Sequence, residues 1–284
     1  MDNLIYSLSG LNCQYGSNDY PVLEISELDI INGEVAFFIG ASGVGKSTVL
    51  ETLGLMNNTI SENTNSVFNF TTAQGVLDLS SAWQKGESYL AEIRRQNLSF
   101  IFQNTNFFGN LTALENVCIS QIIQGKNIDT AKLSAVRLLK KLFGIDIVQE
   151  IMDGKKVSEL SGGQRQRLAF VRAAVTDCQV LLADEPTGNL DWANANVLMN
   201  ELVGLIKDSK KTAIIVSHDI PMALKYGDCV VLIEKINDSR VKNRVYGKID
   251  KSTVYRREGD LWENGSQSSM STINFNTFLK NKLV

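Results

Sequence analysis

A glycine-rich run, Gly40-Ala41-Ser42-Gly43-Val44-Gly45-Lys46-Ser47-Thr48, follows an apolar stretch at residues 34–39 and precedes a helix-like stretch at residues 49–55. Strand, glycine turn and helix in that order constrain the chain more than any other feature. The glycines let main-chain N–H groups close on an anion, and the start of the helix favours negative charge. Lys46 can reach β and γ phosphates, and the Ser47 hydroxyl suits a magnesium ion. Residues 40–48 therefore read as a P-loop that cradles a nucleoside triphosphate.

Further short apolar runs lie at residues 98–102, 180–183, 212–216 and 229–233. They are too short and too rich in β-branched, aliphatic or aromatic residues for helices, and they read as buried strands of a mostly parallel sheet. Between them, Val197, Leu198, Leu202, Leu205 and Ile206 fall at helical spacing, so the pattern is α/β. From about 104 to 160 the strand-like runs give way to helical patterns. Thr112-Ala-Leu-Glu115 forms a capping box, and Asp129 can cap a helix whose apolar face is Ala135, Leu138, Leu139 and Leu142, with Gly144 ending it. The expectation is a core at 1–235 with an α-helical subdomain inserted at about 104–164, then an extension at 236–284. Within that extension a strand pair and a disordered linker are expected, the alternative being a docking or regulatory element; residues 265–272 read as the polar linker before Ile273, Phe275, Phe278 and Leu279.

Composition excludes several classes. With 44% hydrophobic and 21% charged residues in 284, the chain is neither disordered nor a collagen-like repeat. A net charge of −3 argues against bulk nucleic-acid binding, although residues 234–284 alone hold ten Lys/Arg against six Asp/Glu. Cys13, Cys118, Cys178 and Cys229 form no C-x-x-C pair, which fits a reduced, cytosolic setting rather than a disulfide scaffold or zinc module. No basic leader opens the sequence, and no apolar run reaches the roughly 18 residues of a membrane span. Work at a membrane would need an anchor from another polypeptide.

Two further motifs carry chemistry. The apolar run at 180–183 ends in Asp184-Glu185, which places one carboxylate for magnesium and a second as the base for an attacking water. Alone, such a pair is as easily a loop cap; beside a P-loop it reads as catalytic. Leu160-Ser161-Gly162-Gly163-Gln164 opens a helix-like run and makes a second anion-binding helix start. In isolation it would be a plain cap. A second phosphate cradle is useful only if a second copy of the chain presents it to the first nucleotide.

At this point the chain strongly resembles the ATP-binding-cassette (ABC) ATPases, over roughly residues 1 to 235. The resemblance implies a RecA-like P-loop NTPase core with a mostly parallel sheet, an antiparallel β part and an inserted helical subdomain. It implies ATP and Mg2+ as cofactors, with Ser47, Gln103 and Asp184 at the metal. Gln103, after the run at 98–102, takes the Q-loop position. Pro186-Thr-Gly-Asn189-Leu190-Asp191 resembles the D-loop, so that Asp191 joins Ser161, Gly162, Gly163 and Gln164 as contacts to the other subunit's ATP. His218, the chain's single histidine, takes the switch position at the γ-phosphate, beside Glu185 and Gln103. Tyr15 is favoured over Tyr20 as the adenine-stacking aromatic, from its distance to Gly40.

Within the family, Ala183-Asp-Glu-Pro-Thr-Gly-Asn-Leu-Asp191, Phe102-Gln-Asn and Leu111-Thr-Ala-Leu-Glu-Asn-Val117 resemble the LolD, MacB and FtsE branch, whose members power lipoprotein release, tripartite efflux and cell-wall remodelling. The implied protein is a cytoplasmic ATP-hydrolysing subunit that pairs with a second ATP-binding subunit as a homodimer and sits peripherally at the inner face of the cell membrane. It would energise a separately encoded transmembrane permease, for transport or mechanotransmission, with no nucleic acid. The alternative is a soluble ABC ATPase acting on DNA or ribosomes, but the chain lacks the coiled coil, zinc module or fused second cassette such relatives carry. Two departures from the branch are the Asn/Ser/Thr-rich residues 57–70 and the long tail. After Gln103, Phe107 and Phe108 either receive a coupling helix of the permease or pin the helical subdomain to the core.

Overall fold

The computed structural model describes residues 3–16, 20–61, 65–188, 190–237, 244–266 and 268–283. The chain opens with β1 (Leu4–Cys13) and β2 (Leu23–Ile31), an antiparallel pair in which buried and more exposed side chains alternate. β3 (Val35–Gly40) is buried at every position and runs through the P-loop into α1 (Lys46–Leu53). β4 (Val67–Thr72) and β5 (Gly75–Asp78) form a hairpin that extends the antiparallel part beside β1. α2 (Glu87–Asn97) then leads into β6 (Leu98–Ile101).

Four helices follow: α3 (Ala113–Ile123), α4 (Ile128–Leu142), α5 (Ile145–Met152) and α6 (Gly162–Ala174). Thr112 and Glu115 close the capping box on α3 as read. The cap of α4 differs from expectation: Asn127 accepts the Thr130 N–H at 2.8 Å, and Asp129 lies inside the first turn. Both are good cap residues two positions apart, and the earlier one starts the helix. Nor does Gly144 end α4, which is capped by Phe143; Gly144 opens α5.

Strand and helix then alternate through β7 (Val180–Asp184), α7 (Trp192–Ser209), β8 (Thr212–Ser217), α8 (Ile220–Tyr226) and β9 (Cys229–Asn237). Strands β9, β3, β8, β7 and β6 lie side by side in that order, all parallel. Burial on both faces explains their near-continuous apolar sequences. One core packs the helical subdomain, α6, α7 and α8 on one face; the other fills the space between the parallel strands, α1, α2 and the antiparallel strands. The architecture is thus an α/β P-loop NTPase core with an antiparallel β part.

The tail departs most from expectation. β9 runs past residue 235 to Asn237, and β10 (Val245–Ile249) lies between β9 and β2, antiparallel to one and parallel to the other, bridging the two parts of the sheet. β11 (Val254–Glu258) pairs with the beginning of β9, followed by β12 (Leu261–Asn264), β13 (Ser269–Ser271) and α9 (Thr272–Leu283). Within the expected linker, Ser269–Ser271 is therefore a strand and Thr272 begins a helix; Gln267 lies outside the described residues. Aromatic packing holds this piece: Trp262 and Phe275 are fully buried, with ring centroids 5.1 Å apart, and Tyr255 stands 4.6 Å from Phe275. Burying Phe275 and Leu279 supplies about 1.5–3 kcal/mol each.

Candidate active site

Parallel strands deliver the site to one edge of the sheet. Ile39 pairs with Ser217 and Asp184 with Val216, so the C-terminal ends of β3, β8 and β7 sit side by side. This is the edge where α/β folds bind ligands. A cleft of about 440 Å3 opens there, lined by the P-loop from Ser42 to Thr48 together with Val22, Gln103, Asp184, Glu185 and Val216.

The P-loop backbone needs its glycines. Gly43 and Gly45 have φ of +78° and +92°, in the left-handed region that other residues enter only with strain. At Gly40 a Cβ would lie 2.7 Å from Val44 Cγ2. The Lys46 ammonium donates at 2.9 Å to the carbonyls of both Gly40 and Ala41, which holds it across the loop. Burial lowers the Lys46 pKa, opposed by the carboxylates of Glu185 and Asp184. Asp184 moves the other way: burial and then the Glu185 charge raise it above the usual carboxylate range, partly offset by Lys46.

Glu185 has a φ of +46°, and its N–H donates to the Val216 carbonyl at 3.0 Å. Such a backbone costs about 1–3 kcal/mol and concentrates at functional positions. The carboxylate is aimed by two neighbours: His218 Nδ1 lies 2.8 Å from Oε1, and Ser217 Oγ donates to Oε2 at 3.4 Å. Its side chain is 13% exposed, whereas that of His218 is 74% exposed, so the imidazole faces outward from a nearly enclosed acid. A carboxylate so placed can take a proton from water at the cleft mouth.

The other predicted residues separate from this group. Ser161 caps α6, accepting the Gln164 N–H at 3.2 Å while Gln164 Oε1 accepts the Ser161 N–H at 2.8 Å. Ser161 and Gly162 are exposed, and neither they nor Gly163, Gln164 or Asp191 line the cleft. Asp191 caps α7, accepting the Asn194 N–H at 2.9 Å. Asn189 of the expected D-loop lies outside the described residues. The two exposed motifs are neighbours within the chain: a Cβ on Gly163 would lie 3.3 Å from Leu190, and Gln166 donates to the Pro186 carbonyl at 2.7 Å.

Of the two tyrosines, Tyr15 places its hydroxyl 3.1 Å from Thr48 Oγ1 and donates to Glu51, over the first turns of α1. Burial and Glu51 push that hydroxyl up to about 12. Tyr20 lies under Arg244, whose guanidinium stands 4.2 Å from the ring. Phe107 and Phe108 also divide. Phe107 packs against the core with the Arg172 guanidinium 4.6 Å from its ring, while Phe108 is 52% exposed. Phe108 borders a groove of about 400 Å3, shared with Phe100, Phe102, Ile119 and Ile123.

Sequence reasoning missed Ser217 and Gly247. Gly247 belongs to β10, where its N–H donates to the Val22 carbonyl at 2.9 Å, and a Cβ there would lie 1.9 Å from the Val44 carbonyl oxygen. A glycine within the strand-like Val-Tyr-Gly-Lys-Ile was the available signal of a close backbone approach.

A magnesium ion fits the donor set, since Ser47 and Asp184 border the same cleft and a dication would relieve the crowding of Asp184 and Glu185. Among the described residues no group of three His, Cys, Asp or Glu side chains gathers as a metal cage. The remaining ligands would come from phosphate oxygens and water, as magnesium prefers.

A P-loop, a strand-end Asp-Glu pair, a histidine on that Glu and a glycine-opened helix start define an ATPase of the cassette class. Residues 23–188 match the family described as ABC transporter. The chain is 36% identical over 234 residues to the lipoprotein-releasing system ATP-binding protein LolD of Pseudoalteromonas translucida, covering 82% of this chain and 94% of that protein. To the macrolide export ATP-binding/permease protein MacB 1 of Aeromonas hydrophila subsp. hydrophila it is 34% identical over 221 residues, 77% of this chain and 32% of that one. The fold is similar to the dimeric structure of MJ0796, a bacterial ABC transporter cassette, with TM-score 0.71 and 26% identity over 89% of this chain and 99% of that. A post-hydrolysis dimer of MJ0796 bound to ADP and Pi gives TM-score 0.68 and 28% identity over 80% and 93%. The chain belongs to the ABC transporter family, as an ATP-hydrolysing subunit of the LolD/MacB type. Nothing in these relationships supports the alternative of work on DNA or ribosomes.

Proposed function

We propose that two copies of this chain associate head to tail, each P-loop cleft being closed by Ser161, Gly162, Gly163, Gln164 and Asp191 of the other. The observation that carries this is the division of the site. Lys46, Ser47, Gln103, Asp184, Glu185 and the histidine on that acid are assembled around one cleft, while the second anion-binding helix start is exposed elsewhere on the chain.

In this reading the amides of residues 40–48 and Lys46 hold the ATP phosphates, and Tyr15 stacks on the adenine. Ser47, Asp184 and Gln103 would hold magnesium, which when bound neutralises phosphate charge. Glu185 accepts the proton of the attacking water, and His218 keeps that carboxylate oriented while facing the γ-phosphate. Most of the acceleration comes from fixed charges and dipoles around the transferring phosphoryl group. ATP closes the dimer and hydrolysis lets it open.

The work passes to a separate transmembrane permease at the cytoplasmic face of the membrane. Among the described residues no helix is long and apolar enough to cross a bilayer. The groove at Phe108 supports a docking place for a short permease helix, because Phe107 already does the pinning and Phe108 is left exposed. Two experiments test this. Glu185→Gln protein should accumulate as an ATP-bound dimer in analytical ultracentrifugation; a monomer at saturating ATP would count against the sandwich. Phe108→Arg protein should keep its melting temperature and ATP binding but lose co-purification with the permease, because a desolvated anchor has become an unpaired charge. A variant that melts earlier yet stays membrane-bound would refute the docking role.

A further inference from the structure

Helix α7 is capped by Asp191 and helix α8 by Asp219, the residue after His218, so the stretch that follows Glu185 and the one that carries its His218 partner each lead into a helix. The helices are joined by one side chain. Asn196, in the second turn of α7, donates through Nδ2 to the Trp192 carbonyl at 2.6 Å. Its Oδ1 accepts from Lys225 Nζ at 2.6 Å and from Tyr226 Oη at 2.8 Å, and the same hydroxyl lies 3.3 Å from its main-chain carbonyl. Lys225 and Tyr226 are the last two residues of α8.

Asparagine is a poor choice for a helix interior, where its amide competes with the backbone and lowers helix propensity. Here both ends of that amide are used, one on the first turn of its own helix and the other on α8. Tyr226 is buried at 8% exposure, so its hydroxyl needs a partner, and Asn196 supplies it. At its other end α8 is capped by Asp219, whose side chain accepts the Met222 N–H at 3.0 Å and whose N–H donates to Ser217 Oγ at 3.0 Å. Ser217 and His218 in turn contact the Glu185 carboxylate. A path of hydrogen bonds and helix backbone thus runs from Trp192, the residue after the α7 cap, through Asn196 and along α8 to Asp219, Ser217 and the Glu185 carboxylate.

We infer that Asn196 is a positioning residue for hydrolysis, fixing α8, and with it His218 and Ser217, relative to the helix that starts at Asp191. The inference rests on the proposed roles of Glu185, His218 and Asp191. Asn196 does not border the P-loop cleft, so its contribution falls on the aim of the catalytic acid and not on ATP binding. A small displacement at that acid is expensive in rate even when its cause is remote.

The test is steady-state ATPase kinetics with thermal melts on full-length variants. Asn196→Ala should lower kcat by about tenfold while KM for ATP changes less than about twofold. Its melting temperature should stay near wild type, since the helix propensity gained by alanine offsets the lost bonds. Asn196→Asp, which keeps an oxygen for Tyr226 and Lys225, should recover most of kcat. Tyr226→Phe should lower kcat as well, and the Asn196→Ala/Tyr226→Phe double variant should fall no further than the worse single variant. Wild-type kcat in Asn196→Ala, or equal losses in Asn196→Ala and Asn196→Asp, would overturn the inference. Glu185→Gln separates the two failures: wild-type turnover there overturns the site reading and this inference with it. Lost turnover there, beside wild-type kcat in Asn196→Ala, overturns the inference alone.

Discussion

The P-loop and the Ser161 turn are built from one device, glycines opening a helix, yet they end in opposite surroundings. Around the P-loop the sheet edge gathers its groups: Asp184 and Glu185 face Lys46 across the cleft, and Gly247 of β10 abuts the Val44 carbonyl behind the loop. Around Ser161 the helix start satisfies itself through the Gln164 capping box and stays exposed. In the head-to-tail reading proposed above, that exposed helix start is the second half of a site. The chain then carries two complementary halves, and the enclosed half alone holds the groups for chemistry.

The largest effect should come from the enclosed half. Glu185→Gln should keep ATP binding and lose turnover by at least about a hundredfold, as expected for a missing general base. Release of phosphate measured beside nucleotide binding checks this, and wild-type turnover would remove Glu185 from its role.

A smaller effect sharpens where the enclosed half ends, because the C-terminal extension packs against the back of the P-loop at Val44. Gly247→Ala forces a methyl against the P-loop carbonyl, an overpacking that costs about 1–3 kcal/mol and should weaken ATP binding by about tenfold. Titration with a fluorescent ATP analogue reads this; unchanged affinity would mean that β10 does not support the P-loop.

The extension reaches the same strand from below. Arg256 of β11 stands 3.4 Å from Glu34, just ahead of β3, with the two side chains 34% and 7% exposed, and it also donates to the Asp29 carbonyl at 2.6 Å. Burial raises the Glu34 carboxyl, and Arg256 is the first influence opposing that rise. Arg256→Met should cost about 1–3 kcal/mol at neutral pH, less than for a fully buried pair. Because the folded-state value of Glu34 is raised, the stability tied to its proton is present below the unfolded value and lost as pH rises through the folded one. Without Arg256 that folded value climbs further, so urea denaturation should find the loss large at pH 7 and smaller near about pH 4. Glu34→Gln in the same background should restore most of it. A loss independent of pH would dismiss the pair.

How much of this was legible follows from the range of the constraint. The P-loop and the β7 acids could be read directly, because Gly43 and Gly45 need left-handed backbone and the central strands are apolar on both faces. Ser161 was legible as a helix start, but its exposure was visible only in three dimensions. The extension was legible as a segment, but β12 and β13 were not, because they are strands of four and three residues with polar sequences, stabilised by pairing and by Trp262 and Phe275. Gly247 within a strand pattern marks a close approach but not its partner Val44, and Asn196 meets Tyr226 thirty residues on, where no local pattern records the contact. The strained backbone of Glu185 likewise depends on its bond to Val216 across the sheet.

The central claim is that the Ser161 half of each copy closes on the nucleotide held by the P-loop half of the other, and mixing two disabled proteins tests it most directly. Lys46→Ala removes the enclosed half and Ser161→Arg removes the exposed half, so neither variant alone retains a complete site. A mixed dimer pairs an intact P-loop cleft from one chain with an intact Ser161 turn from the other. The account predicts that ATP-dependent association and measurable hydrolysis return on mixing, in the one composite site each mixed dimer contains. If the mixture gives neither association nor hydrolysis above the separate variants, the two halves do not meet and the account is wrong.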